Sequence, residues 1–196
     1  MLENRVIGIV AGVLALSAII PYTISIFRRK TVPNRATWFI WALCGGLIAG
    51  SYDAVGATDS RWVPWAYAVG PFLVFLLSIR YGEGGWTLSD KVCLAGVLLS
   101  VAIWVGFKTP LVVLLMNLFM DFMGLIPTLR KSWCKPETED RLAWTISVVA
   151  NTINLFAVEE WTFAIATFPV YTVIGCSAVT FTLYFRRKKP EAQPPA

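Results

Sequence analysis

Three stretches of this chain, residues 6–27, 62–79 and 161–185, contain no charged side chain. A helix that crosses a bilayer needs about 20 mostly apolar residues, so each stretch reads as a membrane span. Four further runs complete a set of seven. Residues 36–57 carry one charge, Asp53, near the far end. Residues 92–107 are uncharged but short, and rely on flanking lysines that snorkel outward. Residues 109–129 carry only Asp121, near the middle, and residues 142–158 are uncharged and stop at Glu159 and Glu160.

Composition agrees. Of 196 residues, 57% are hydrophobic and 15% charged, and the mean hydropathy is +0.64. A soluble domain carries about a quarter charged residues, so a water-soluble globule, a disordered chain and a nucleic-acid-binding domain are excluded. There is no histidine, which removes the commonest general base and metal ligand. Cys44, Cys93, Cys134 and Cys176 form no CxxC pair, so neither a disulfide framework nor a metal site is indicated. No cofactor is expected.

The net charge of +5 reports topology. The loops after the first, third and fifth spans, with the tail, hold 14 of the 17 Lys and Arg, and the opposite side holds Arg5, Arg61 and Lys108. Positive loops stay inside, so the N-terminus is expected outside and the C-terminus in the cytoplasm. The start of the chain lacks the basic region and cleavage site of a secretory signal, so the first span is expected to be retained. The expected location is the bacterial inner (plasma) membrane.

A shift of 106 residues superposes two segments without a gap. Ile20-Pro21 matches Ile126-Pro127, Arg35 matches Arg141, Trp38 matches Trp144 and Ile40 matches Ile146; Phe27 with Trp133 and Asn34 with Asp140 are conservative matches. The expected architecture is an all-α integral membrane fold of three, one and three helices. Residues 1–85 form a first three-helix repeat, 86–108 a linker helix and 109–185 a second repeat facing the same way, while 186–196 form a disordered basic and Pro-rich tail.

With its two proline–basic loop–Trp segments and its three-one-three span order, the chain resembles the PQ-loop superfamily. That group includes the SWEET-type sugar transporters, cystinosin and the KDEL receptor. The resemblance implies a parallel-repeat bundle and transport by alternating access. The Pro-Gln dipeptide stands here as Pro21-Tyr22 and Pro127-Thr128. Residues 36–57 and 142–158 lack the second proline of the sugar transporters, and their paired asparagines are missing too. The resemblance therefore carries over the fold and not a sugar substrate.

Asp121 is the most informative side chain, because an ionised carboxylate in mid-span costs a few kcal/mol or more unless paired or wetted. It is expected to act as a proton- or cation-responsive coupling group; the plainer role is a structural carboxyl between helices. Asn117, one turn earlier, joins it with Asn151 and Asn154 in an expected polar midplane site, although amides of this kind also serve as interhelical glue worth about 1 kcal/mol. Tyr67, Thr167, Tyr171 and Thr172 are candidate walls of the solute site. Pro21 and Pro127 are candidate hinges, since each removes a backbone bond near a helix end. Asp53, Glu159 and Glu160 fit an acidic vestibule or merely solvated helix ends.

The function expected is a small-solute transporter, proton coupling included. The alternative is a non-transporting receptor or an assembly subunit of a larger membrane complex. A retinal photoreceptor is excluded because its Schiff-base lysine is missing from residues 161–185. Enzymatic chemistry is not expected either. Expected partners are the lipid bilayer, a small-molecule solute and a second copy or other membrane protein, with no nucleic acid.

Overall fold

The computed structural model describes residues 2–29, 32–82, 84–134, 136 and 139–186; the side chains of Leu2, Ser89, Asp90, Pro127 and Lys131 fall outside that set. The described residues form helices and no strand. In chain order they are α1 (Leu2–Ser17), α2 (Ile19–Phe27), α3 (Arg35–Ala54), α4 (Trp62–Tyr81), α5 (Leu88–Phe107), α6 (Pro110–Cys134), α7 (Arg141–Leu155) and α8 (Phe163–Phe185). Every apolar run of the sequence falls on a helix. Four segments are long and apolar enough to cross a membrane: Glu3–Phe27, Trp62–Tyr81, Pro110–Cys134 and Phe163–Phe185. The expected tail beyond Arg186 lies outside the described residues.

Proline chemistry separates α1 from α2. Pro21 has no N–H to offer the carbonyl of Ser17, four residues back, and α1 ends at Ser17. Ala18 instead bonds Ala15, three residues back, at 3.2 Å, the tighter turn expected where the ladder is interrupted. Pro127 has a different outcome: α6 runs unbroken from Pro110 to Cys134.

Polar side chains start the inner helices. Asn34 accepts from the Thr37 N–H at 3.1 Å at the head of α3, and Asp140 accepts from the Ala143 N–H at 2.9 Å at the head of α7. Each satisfies a donor that the first turn leaves free.

The helices fall into two packed groups. α4 lies between α1 and α3, and α8 lies between α6 and α7. The groups meet where α1 packs on α7 and α3 packs on α6, while α5 rests on α6 and α3. Close approach depends on glycine. A Cβ at Gly12 would stand 2.6 Å from Trp62, and one at Gly45 would stand 2.5 Å from the Tyr67 carbonyl. The buried centre joins Ala11 and Ala15 of α1, Ile48 and Tyr52 of α3, Leu114 of α6, Ala150 of α7 and Phe168 of α8. Large apolar side chains such as Val13, Val105, Ile174 and Phe181 face outward, as a lipid-facing surface requires.

The ends differ in charge. One end brings together Arg28, Arg29, Arg35, Arg80, Arg130, Arg141 and Arg186; the other holds Glu3, Asp53, Asp59, Glu159 and Glu160 with Arg5, Arg61 and Lys108. They are called the basic and acidic ends below.

Candidate functional site

Polar side chains collect at two levels. At mid-depth, Asp121 of α6 accepts a hydrogen bond from the Tyr171 hydroxyl of α8 at 2.5 Å. Cys44 of α3 and Cys176 of α8 lie within electrostatic range of that carboxylate. Asn151 of α7 donates through Nδ2 to the Tyr67 hydroxyl of α4 at 2.5 Å and to the Ser147 carbonyl at 2.8 Å. Cys176 Sγ is 3.7 Å from that nitrogen and 3.9 Å from the Tyr67 hydroxyl, so it joins the Asn151–Tyr67 pair. Among the described residues no basic side chain is within ion-pair distance of Asp121.

Four sequence-selected residues thus form two mid-depth pairs, Asp121 with Tyr171 inside one helix group and Asn151 with Tyr67 between the groups. The others do not join them. Asn117 turns to the linker helix, donating to Ser100 Oγ and to the Val113 carbonyl, each at 2.9 Å. Its own carbonyl accepts from Cys44 Sγ at 3.3 Å, tying α3 to α6. Thr172 returns its hydroxyl to the Phe168 and Pro169 carbonyls of its own helix, and Thr167 does the same with Phe163. Asn154 is fully buried, and neither amide atom has a hydrogen-bond partner; the amide oxygens of Asn117 and Asn151 are likewise unpartnered.

The second level is the acidic end. The Tyr52 hydroxyl of α3 has the Ile165 carbonyl of α8 and Ser60 Oγ each at 2.8 Å and divides its one proton between them. Ser60 Oγ also reaches Glu159 Oε2 at 3.0 Å, and the Ser60 N–H donates to the same oxygen at 3.3 Å. The other oxygen of Glu159 accepts from the Thr58 N–H and hydroxyl. Partial burial would raise the Glu159 pKa, but the hydrogen bonds from Thr58 and Ser60 outweigh it and hold the carboxyl below its usual range. Asp53 behaves differently. It pairs with Arg61, the last residue before α4, at 3.1 Å and accepts from the Trp65 indole of α4 at 3.1 Å.

A cavity of about 420 Å³ opens beside this cluster, lined by Thr58, Asp59, Glu159, Glu160 and Thr162 among others; a second, of about 330 Å³, lies at the basic end by Arg35, Phe39, Phe75 and Trp86. Neither touches Asp121 or the central asparagines. Nearer the basic end, Tyr22 of α2 packs on Trp38 with ring centroids 5.0 Å apart, and Trp38 on Trp41 at 5.1 Å. Trp41 in turn lies against Gly124 of α6, where a Cβ would stand 3.1 Å from the indole nitrogen. Of the two candidate hinges, Pro21 sits at the observed helix break, and the side chain of Pro127 lies outside the described residues.

Sequence reasoning passed over Cys44, Cys176, Tyr52, Thr58 and Ser60. Tyr52 and the two cysteines are single polar atoms inside apolar runs, and Thr58 and Ser60 lie in a short loop. The available signal was the proximity of Tyr52 to Asp53, the one charge in its run. The chain matches no family model, no curated protein and no solved structure.

Proposed function

We propose that this chain is an integral membrane transporter that moves a small polar solute by alternating access. Residues 1–85 rock against residues 109–185, with 86–108 as the linker and Asp121 as the proton-responsive coupling residue. On this reading the chain crosses the membrane seven times, with the N-terminus outside and the basic end in the cytoplasm. Support for full crossings by α3 and α7 comes from their bonding at both ends. α3 is tied to the end of α4 through Arg35 and to its start through Asp53. α7 meets the end of α8 through Thr145 and Tyr184, while the loop that follows it carries Glu159.

The observation that carries the reading is an exchange. Swapping the two helix groups turns α1–α4 into α6–α8, α3–α4 into α7–α8, and α1–α7 into α6–α3, and all six packings are present. Local contacts follow the 106-residue shift. The caps Asn34 and Asp140 are one pair. Arg35 donates to carbonyls at the end of α4, and Arg141 to a carbonyl at the end of α8. Phe27 packs on Tyr81, and its counterpart Trp133 packs on Phe185. A parallel duplication with a polar layer at the repeat interface is a recurring transporter plan, and it agrees with the PQ-loop resemblance.

The test uses liposomes that hold the protein and a trapped pH dye, challenged in turn with sugars, amino acids and amine-bearing solutes. A solute that drives proton movement through the wild type should drive none through Asp121→Asn, with the thermal melt little changed. Equal uptake by both across pH would remove Asp121 from the mechanism. No uptake of any class would remove the transporter reading.

One observation favours the second reading, a non-transporting receptor or assembly subunit. Asn117 and Asn151 spend their amide N–H groups on neighbouring helices, as structural amides do. A stable, stoichiometric membrane-protein partner that co-purifies, together with absent uptake, would select it.

A further inference from the structure

The two carboxylates related by the 106-residue shift, Asp53 and Glu159, do opposite things. Asp53 is held within its own group by Arg61 and Trp65. Glu159, in the loop between α7 and α8, reaches across to the loop between α3 and α4 and takes hydrogen bonds from Thr58 and Ser60, backbone and hydroxyl in both cases. Ser60 Oγ also lies 2.8 Å from the Tyr52 hydroxyl, whose one proton is divided between Ser60 Oγ and the Ile165 carbonyl across the seam. Beneath this cluster the rings of Tyr52 and Phe168 pack at 5.4 Å, both buried. We infer that Glu159 is the bolt that holds the acidic end of the seam shut in this conformation, and that opening there requires its carboxylate to leave Thr58 and Ser60.

The other charged or titratable groups at this end are Glu3 and Arg5 of the first turns of α1, Tyr52 and Asp53 of α3, Asp59 and Arg61 of the first loop, Lys108 between α5 and α6, and Glu160 beside the bolt. Arg61 is already engaged by Asp53, and Glu159 has no ion pair among the described residues. The bolt therefore depends on neutral donors converging on one charge, an arrangement in which each bond is stronger than its neutral equivalent. The fold repeats only the position: one half supplies the bolt, and the other half holds its own acid out of the way. This deepens the transport reading, since a shut end has to open, but accessibility is measured with no solute and so is judged separately from uptake.

The experiment labels the central thiols, buried Cys44 and half-buried Cys176, in sealed vesicles, with Cys93→Ala and Cys134→Ser as background and an impermeant maleimide applied to the face that bears Glu159. Glu159→Gln keeps the size but turns an amide N–H₂ toward the N–H donors. Labelling should accelerate by about tenfold, the scale of one lost charge-assisted hydrogen bond. Asp53→Asn should leave the rate unchanged, and Glu159→Asp should restore part of the protection. If Glu159→Gln lowers the thermal melt of the whole protein, Ser60→Ala replaces it, with a smaller acceleration expected because the backbone donors remain. Unchanged labelling in Glu159→Gln, or equal acceleration in Asp53→Asn, would overturn the inference. Faster labelling with no uptake of any solute would keep the bolt and remove only the transporter.

Discussion

The bond between Asn151 and Tyr67 is a direct probe of the mid-depth layer, because its worth depends on whether the layer is packed or wet. In the structure the Tyr67 hydroxyl receives from Asn151 Nδ2 at 2.5 Å, and that nitrogen also has the Ser147 carbonyl at 2.8 Å. Tyr67→Phe removes one hydrogen bond without leaving the amide nitrogen unmatched, and the ring still packs on Phe168. The loss should be about 0.6 kcal/mol, the average for such bonds between membrane helices. Asn151→Ala does more: the Tyr67 hydroxyl falls back on Ser147 and on the weak Cys176 contact at 3.9 Å, and a hydroxyl that loses its best partner inside the bundle costs about 1 kcal/mol or more. A double-mutant cycle, read by reversible unfolding in mixed detergent micelles, should therefore give Asn151→Ala the larger cost and a coupling of about 0.5 kcal/mol or more. Zero coupling with a negligible Tyr67→Phe effect would refute the argument, because water would then be replacing the bond.

Further outcomes follow from the geometry. Gly45→Ala places a Cβ 2.5 Å from the Tyr67 carbonyl, whereas Gly46→Ala meets nothing within 4 Å; the first should destabilise by about 1–3 kcal/mol, and the second should be neutral or stabilising by up to about 1 kcal/mol through helix propensity. Two thermal melts check the pair. The lowered pKa of Glu159 sets its pH dependence: its contribution is fully present above the ordinary glutamate pKa of about 4.3 and is lost as pH falls through its lower folded value. The stability gap between wild type and Glu159→Gln should thus stay constant from neutral pH to about pH 5 and close only below about pH 4. A gap that closes near neutrality would show that the Thr58 and Ser60 bonds are not made in solution.

Helix positions were legible in the sequence because charges interrupt the apolar runs; the matched bends expected at Pro21 and Pro127 were not both found, since the helix breaks after Ser17 while α6 runs through Pro127. The caps Asn34 and Asp140 were visible as one half of a shifted match. Partner choice was not legible. Asn117 and Asp121 are four apart on one helix, yet Asn117 pairs with Ser100 of α5 and Asp121 with Tyr171 of α8. A helix that is apolar all round gives no periodic signal for which neighbour it faces. The acidic end was recognised only as a set of carboxylates. The difference between Asp53 and Glu159 lies in loop geometry, which places Thr58 and Ser60 under one acid and Arg61 and Trp65 under the other.

Whether the two helix groups rock as rigid units is best measured by pulsed electron resonance on spin-labelled pairs in lipid. One pair, Ala54→Cys with Phe156→Cys, spans the acidic end; another, Arg28→Cys with Arg130→Cys, spans the basic end; each is made in a background with the native cysteines replaced. Two distance populations are expected for each pair. Adding Glu159→Gln should shift the acidic-end pair toward its longer distance and the basic-end pair toward its shorter one. A single narrow distance at both ends, unmoved by that substitution, would contradict the account.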